Sequence, residues 1–167
     1  MFFLGLDLAW SPRNRSGMAL LQGGGEGAEL VDLRLIEGDD EILAYVQAHV
    51  EQEGAVIAID APLRVQNQQG SRTAEKDLNR VFRAYQAMTH PANRQLLEYE
   101  GVVRGEVLVQ GLTEMGFTLK STIAQKEGER QILEVFPHAG MVAIFGLERI
   151  LRYKAKPRRS WAERLQE

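Results

Sequence analysis

The sequence predicts an α/β fold built around a mixed β-sheet. Two near-continuous apolar runs, residues 2–10 and Ala55–Ile59, are typical of strands that are covered on both faces. Between the runs lies a segment with apolar residues at helical spacing, and a helical crossover is how parallel neighbouring strands are joined. The order strand, strand, strand, helix, strand therefore predicts that the fourth strand runs parallel to the first.

The first three strands are defined by the turn residues between them. Residues 11–14 are typical of a turn, and residues 17–22 form a second strand that ends at three consecutive glycines, 23–25. The two strands make a hairpin. The third strand, from Leu30 to Glu37, alternates apolar and polar residues, which indicates that one side meets solvent or that the strand lies near an edge.

The remaining elements follow from helical spacing and from cap residues. A helix begins with Asp39 and Asp40, contains Val50 and is closed by Gly54 as a left-handed cap. Further helices are predicted over residues 74–88, over 101–115 and from Pro137 to Gly146, and residues 131–136, after a turn at 126–128, form the fifth core strand.

Length and composition exclude several classes of protein. With 167 residues and no cysteine, the chain fits one domain and has no disulfides, thiolate zinc sites or cysteine nucleophiles. A cytoplasmic protein without a membrane span or signal peptide is expected.

A capping box at residues 160–163 predicts a helix that begins only four residues before the chain ends. Because such a short helix is unstable alone, residues 1–167 could be a truncated form of a longer protein.

The charge distribution is asymmetric. Residues 149–167 contain seven basic and two acidic residues, whereas the other 148 contain 13 basic and 21 acidic residues. The basic run, which includes Lys154, Lys156, Arg158 and Arg159, is typical of a segment that binds nucleic acid. Its alternative interpretation is a solvated charged surface.

Three acidic residues interrupt or end apolar strands: Asp7, Asp60 and Glu134. A buried carboxylate is costly unless a cation or hydrogen-bond donors meet it. If the first and fourth strands are parallel neighbours, Asp7 and Asp60 meet at the carboxyl edge of the sheet, where α/β folds bind ligands, and Glu134 could join them. As alternatives, Asp60 could be a turn residue and Glu134 the partner of an arginine.

A hard divalent cation is the expected compensation for three converging carboxylates. Oxygen ligands with no cysteine favour Mg²⁺ or Mn²⁺, and such ions support in-line displacement at a phosphodiester. His138 could assist a bound water or be a polar cap of its helix. Arg72, Lys76 and Arg80 are candidates for holding phosphate, although a solvated ion-pair face with Asp77 explains this cluster as well.

Three sequence blocks resemble a known family. Residues 5–10 (GLDLAW), 58–63 (AIDAPL) and 134–139 (EVFPHA) are similar to the signature blocks of the domain of unknown function 429 family, described as predicted ribonuclease H-like nucleases. Residues 72–77, 91–93 and 149–156 are also similar, so the resemblance spans nearly the whole chain.

The resemblance implies a ribonuclease H-like fold, a five-stranded mixed sheet in the order 3-2-1-4-5 with helices on both faces. It also implies a metal-dependent nuclease in which Asp7, Asp60 and Glu134 are the acids of the first, fourth and fifth strands. Two alternatives remain open: a non-catalytic module that binds nucleic acid or protein, and an actin-like or sugar-kinase-type phosphotransferase.

Overall fold

The computed structural model describes residues 1–11, 13–50, 54–123, 128–153 and 160–166. The strands are β1 (Phe2–Asp7), β2 (Ser16–Gly24), β3 (Gly27–Ile36), β4 (Ala55–Ile59), β5 (Glu98–Tyr99), β6 (Val102–Val103), β7 (Thr118–Leu119) and β8 (Arg130–Glu134). The helices are α1 (Gly38–Val50), α2 (Thr73–Phe82), α3 (Arg94–Leu97), α4 (Arg104–Glu114), α5 (Pro137–Phe145) and α6 (Trp161–Leu165). The predicted turn at residues 126–128 lies largely outside the described residues.

The chain packs as two compact units. The first consists of Met1–Arg72 and Ala92–Val135, and the second of Thr73–Pro91 and Phe136–Glu167. All strands, together with α1, α3 and α4, belong to the first unit, whereas α2, α5 and α6 belong to the second. A single domain over residues 1–167 stays a prediction.

The main sheet of the first unit has the order β3-β2-β1-β4-β8-β7. Strands β1, β2 and β3 form an antiparallel meander, and β4 is parallel to both of its neighbours, β1 and β8. The α/β class, the hairpin and the parallel pairing of the first and fourth strands are therefore confirmed. The count of five strands is wrong by one, because Thr118–Leu119 adds a two-residue edge strand parallel to β8. A strand that short leaves no alternating pattern to detect.

One face of this sheet packs against α1 and α4. The core side chains come from β1, β4, α1 and α4, among them Leu4, Leu6, Ile57, Ile59, Ile42, Val46, Leu108 and Leu112, each at most 2% exposed. The two apolar runs of the sequence therefore supply the centre of the sheet, as predicted. Helices on both faces of the sheet stay a prediction.

Strand β3 lies at the edge of the sheet, as its alternating pattern predicts, but its apolar side is the exposed one. Leu33 and Leu35 are 70% and 63% exposed. The polar side faces α1, where the Tyr45 hydroxyl donates a 2.8 Å hydrogen bond to Asp32 and the Arg34 guanidinium lies 4.7 Å from the centre of the Tyr45 ring.

Several predicted helix ends differ from the observed ones. Helix α2 ends at Phe82 instead of residue 88, because a 3-10 turn, Arg83–Tyr85, and the left-handed residue Gln86 follow it. Gly54 does not adopt the predicted left-handed conformation. A Cβ atom there would lie 2.7 Å from the backbone of Gly128, so a close approach of two chain segments explains this glycine.

The predicted caps of the second unit are confirmed. Pro137 occupies the first turn of α5, and Gly146 ends that helix with a φ of 60°. The Ser160 hydroxyl accepts a 3.2 Å hydrogen bond from the Glu163 amide, and the Glu163 carboxylate accepts a 2.7 Å bond from the Ser160 amide. Within the described part of the chain, no helix has the length and apolarity that crossing a membrane requires.

Candidate functional site

The fold places Asp7 and Asp60 side by side. Asp7 is the last residue of β1 and Asp60 directly follows β4, its parallel neighbour. The Asp60 amide donates a 2.8 Å hydrogen bond to the Leu6 carbonyl, so the ladder continues one residue beyond Ile59. Residues in register on parallel strands lie on the same face of a sheet. Asp7 and Asp60 therefore lie on the face opposite to the buried Leu6 and Ile59, with Asp7 exposed and Asp60 half-buried.

Glu134 is one residue out of phase with this pair. It is in register with Ile59, whereas the Val135 amide donates the next bond of the ladder, 3.0 Å to the Ile59 carbonyl. Because side chains alternate along a strand, Glu134 lies on the face of Ile59 and not on that of Asp60. All three acids lie at the carboxyl edge of the sheet, with Asp7 and Asp60 on one face and Glu134 on the other.

The Glu134 carboxylate has two defined partners. The Leu63 amide donates a 2.9 Å hydrogen bond to Oε2, and Arg72 donates from Nη1 to Oε2 at 3.1 Å and from Nη2 to Oε1 at 2.5 Å. Arg72 also binds the Arg64 carbonyl at 2.9 Å. Such a two-point arginine–carboxylate pair fixes both groups more firmly than a single bond. Arg72, predicted to hold substrate phosphate, thus stabilises the loop after β4.

Two acids on one face of this edge, Asp7 and Asp60, are the candidates for holding a divalent ion. In residues 1–11, 13–50, 54–123, 128–153 and 160–166 there is no group of three or more His, Asp or Glu side chains that could hold a metal ion. Mg²⁺ is commonly held by only one or two carboxylates, with waters and substrate phosphates completing its six ligands. The metal-ligand roles of Asp7, Asp60 and Glu134 stay predictions.

The other predicted site residues belong to the second unit. His138 is in the first turn of α5, where its ring lies 5.7 Å from that of Phe136 and 5.9 Å from that of Tyr153, measured between ring centres. Lys76 and Arg80 are exposed on α2, and Arg80 forms a 3.0 Å ion pair with Asp77. Lys154, Lys156, Arg158 and Arg159 lie outside the described residues.

An apolar hollow lies between the loops that follow β1 and β4 and the start of α4. It is small, and much of its space is open to solvent. The loops that follow Asp7 and Asp60 form two walls, and the end of α3 and the start of α4 form the third. The lining residues are Leu8, Ala9, Trp10, Ala61, Pro62, Leu97, Val103, Arg104 and Gly105.

Arg104 fixes the first wall of the hollow. Its Nη1 atom donates to the carbonyls of Ala9, at 2.6 Å, and Ser11, at 3.1 Å. Its Nε atom donates to Asp39 at 2.8 Å, and the side chain is only 9% exposed. One buried guanidinium therefore ties the loop after β1 to the start of α1.

The second wall is fixed by close packing and by carboxylates. A Cβ atom on Gly105 would lie 2.2 Å from the Pro62 carbonyl oxygen, so only glycine allows α4 to approach this loop. The Val65 amide donates to Glu106 at 2.8 Å, and Arg94 binds the other oxygen of Glu106 at 2.7 Å. Hydrogen bonding to Glu98 and Glu106 raises the pKa of the Arg94 guanidinium above its ordinary value.

Sequence reasoning missed Trp10, Arg104 and Gly105 as parts of this site. Trp10 is visible in the sequence only as the end of an apolar run and of the GLDLAW block. Arg104 and Gly105 come at the start of a predicted helix, where neither residue type indicates contact with a loop more than 40 residues earlier in the chain.

No curated protein and no solved structure matches this chain, but its family can be identified. One family model matches residues 5–166, nearly all of the 167 residues. That range includes both aspartates, Glu134 and the walls of the hollow. The chain belongs to the family described as protein of unknown function (DUF429).

Proposed function

We propose that this protein is a metal-dependent nuclease that hydrolyses phosphodiester bonds of nucleic acid. The observation that carries the proposal is the hydrogen bond from the Asp60 amide to the Leu6 carbonyl, which puts the Asp7 and Asp60 positions side by side. They lie at the carboxyl edge of parallel strands, where open α/β sheets bind ligands. Two neighbouring carboxylates repel each other, and Mg²⁺ or Mn²⁺ removes that repulsion.

The two aspartates differ in exposure. Asp7 is exposed at the end of β1, whereas Asp60 is half-buried and its backbone amide is bonded to the Leu6 carbonyl. A bound divalent ion would activate a water and stabilise the leaving oxygen of the phosphodiester. In this proposal Asp7 and Asp60 hold that ion at the edge of the sheet.

Glu134 acts differently in its present arrangement. Its carboxylate accepts bonds from Arg72 and from the Leu63 amide, so it positions the segment that follows Asp60. A direct role as a third metal ligand would require the exchange of Arg72 for the ion. His138 is proposed as an additional helper, and Arg72, Lys76, Arg80 and the basic residues of the 154–159 segment as phosphate contacts.

The strand order supports the fold that the proposal assumes. Strands β3, β2, β1, β4 and β8 are in the 3-2-1-4-5 order that the family resemblance implies for a ribonuclease H-like domain. Fold alone does not establish a reaction. The proposal therefore depends on the carboxylate pair.

Cleavage of labelled nucleic acids tests this function. The full chain is incubated with Mn²⁺ and single-stranded, duplex, RNA–DNA hybrid and branched substrates, and the same reactions are run with Asp7→Asn and Asp60→Asn. Asp40→Asn is the matched control, because Asp40 is an exposed aspartate in the first turn of α1. We expect cleavage by the wild type and Asp40→Asn and a loss of at least about 100-fold in the two site variants. Equal cleavage by wild type and a folded Asp7→Asn variant would contradict the proposal.

The second candidate function is a non-catalytic module that binds nucleic acid. It is favoured by the Arg72–Glu134 pair, which occupies one of the three predicted metal ligands. Salt-sensitive binding of nucleic acid without cleavage, unchanged by Asp7→Asn, is the result that this alternative predicts.

A further inference from the structure

Strand β3 is the long edge of the main sheet and is apolar on its outer side. It pairs with β2, and in the described part of the chain no other strand pairs with it. The backbone groups of an edge strand are a template for pairing with another chain, so proteins commonly protect such edges with proline or lysine. Gly27–Ile36 contains neither. Its apolar side chains that are 52% to 70% exposed are Leu30, Val31, Leu33 and Leu35.

The second half of β3 is a regular strand. Residues 32–36 pair one to one with residues 20–16 of β2. The shift in register comes before them, where Leu30 pairs with Leu21 and Val31 is the extra residue of a bulge. Residues 32–36 therefore keep the alternation of faces that a further strand could extend.

The sequence of β3 is complementary to itself in one antiparallel register. When Leu33 lies opposite Leu33 of a second copy, Asp32 lies opposite Arg34, and Arg34 opposite Asp32. The bulge residue Val31 then lies opposite Leu35. Directly opposite residues of an antiparallel pair are on the same face of the sheet. In this register apolar side chains therefore meet on one face and opposite charges meet on the other.

The neighbouring registers lack this complementarity. A slip by one residue places a leucine of one copy on the same face as the charged residues of the other copy. A pairing centred on Asp32 places two aspartates opposite each other, and one centred on Arg34 places two arginines opposite each other. Like charges directly opposite destabilise a strand pair. The sequence therefore favours the register centred on Leu33.

The charged face of β3 is already ordered in the single chain. Asp32 accepts a 2.8 Å hydrogen bond from the Tyr45 hydroxyl and forms a 2.5 Å ion pair with Arg34 of its own strand. The Arg34 side chain is 47% exposed, and the two oxygens of a carboxylate can accept from more than one donor. Preformed order of this kind lowers the entropic cost of association. The charges select the register, while the burial of leucine supplies most of the affinity.

We propose that the chain forms a homodimer in which β3 pairs antiparallel with β3 of a second copy, centred on Leu33. The pairing joins the two main sheets into one continuous sheet. It uses the long edge of both sheets, and the opposite edge, β7, is only the two residues Thr118–Leu119. The same surface is used on both copies, so the assembly closes at two. This inference is independent of the proposed nuclease activity.

Sedimentation velocity of the full chain over a range of micromolar concentrations tests the inference. We expect the wild type to sediment as a dimer, and Leu33→Lys to weaken association by at least about 10-fold, because leucine burial is lost and two like charges face each other. Leu96→Lys is the matched control, since Leu96 is a 59% exposed leucine on α3. Leu33 is itself 70% exposed, so the variant should fold, which circular dichroism verifies.

A charge-rescue experiment tests the register. Leu33→Glu should dissociate like Leu33→Lys, because it also places like charges opposite each other. An equimolar mixture of the two variants should form a heterodimer, since lysine then faces glutamate at the centre of the pairing. The mixture should associate at least about 10-fold more tightly than either variant alone.

Three results would overturn the proposed dimer. One is a wild type that stays monomeric throughout the concentration range, which would leave β3 as a bare edge or as the site of a different protein. The second is a folded Leu33→Lys variant that dimerises as the wild type does. The third is a mixture of Leu33→Lys and Leu33→Glu that associates no better than its components.

Discussion

The Arg72–Glu134 ion pair changes the interpretation of Glu134. An acid at the end of an apolar strand is compatible with a metal ligand and with an arginine partner, and here Arg72 binds it through two nitrogen atoms. The two side chains are 62 residues apart in sequence. Their contact depends on the path of the loop after β4, for which the sequence has no periodic signal.

Loss of this ion pair should destabilise the first unit. We expect Arg72→Met to lower the free energy of unfolding by about 1–2 kcal/mol, because it removes charged hydrogen bonds at a partly buried carboxylate. Arg80→Met is the matched control: its ion pair with Asp77 is exposed, and such pairs contribute about 0.2–1 kcal/mol. Urea denaturation measures both, and equal losses in the two variants would show that Arg72 has no special structural role.

Among the elements, β3 and α1 meet through a polar contact in an otherwise apolar packing. The Tyr45 hydroxyl, which donates to Asp32, belongs to a ring that is only 6% exposed. Burial, and secondly the bond to Asp32, raise the pKa of Tyr45 from 10.0 to about 12. The hydrogen bond from Tyr45 also holds the pKa of Asp32 below its ordinary value.

This contact predicts a pH dependence of stability. The folded state holds the Tyr45 proton more tightly than the unfolded state, so this stabilisation is complete below pH 10 and is lost as the pH rises from 10 through 12. Tyr45→Phe should lose about 1 kcal/mol at neutral pH and should show a flatter decline above pH 10. Denaturation of wild type, Tyr45→Phe and the exposed control Tyr99→Phe between pH 9 and about 12 measures this. Parallel curves for wild type and Tyr45→Phe would rule out the proposed contribution.

The secondary structure was predictable where a strong pattern or a cap defines it. The apolar runs define β1 and β4, Pro137 and Gly146 bound α5, and the Ser160 capping box announces α6. The side of β3 that faces α1 was not predictable, because alternation defines two faces without saying which one a neighbour covers. The early end of α2 has no glycine or proline to mark it; Gln86 adopts the left-handed conformation instead.

At the scale of the whole molecule, topology accounts for most of the candidate site. The crossover through α1 makes β4 parallel to β1, and the register of the two strands places Asp60 beside Asp7. The third acid and the hollow depend on loop contacts made by Arg72, Arg104 and Gly105, whose partners are distant in sequence. Pattern analysis therefore predicts the aspartate pair but not the surroundings that fix it.

Binding of Mn²⁺, measured by calorimetric titration, tests the central claim that Asp7 and Asp60 form a shared cation site. The wild type and Asp40→Asn should bind Mn²⁺ with the same affinity, and Asp7→Asn and Asp60→Asn should each weaken it by at least about 10-fold, since each removes one of two carboxylate ligands. If folded Asp7→Asn and Asp60→Asn variants bind Mn²⁺ as the wild type does, or if the wild type binds none, the claim is contradicted.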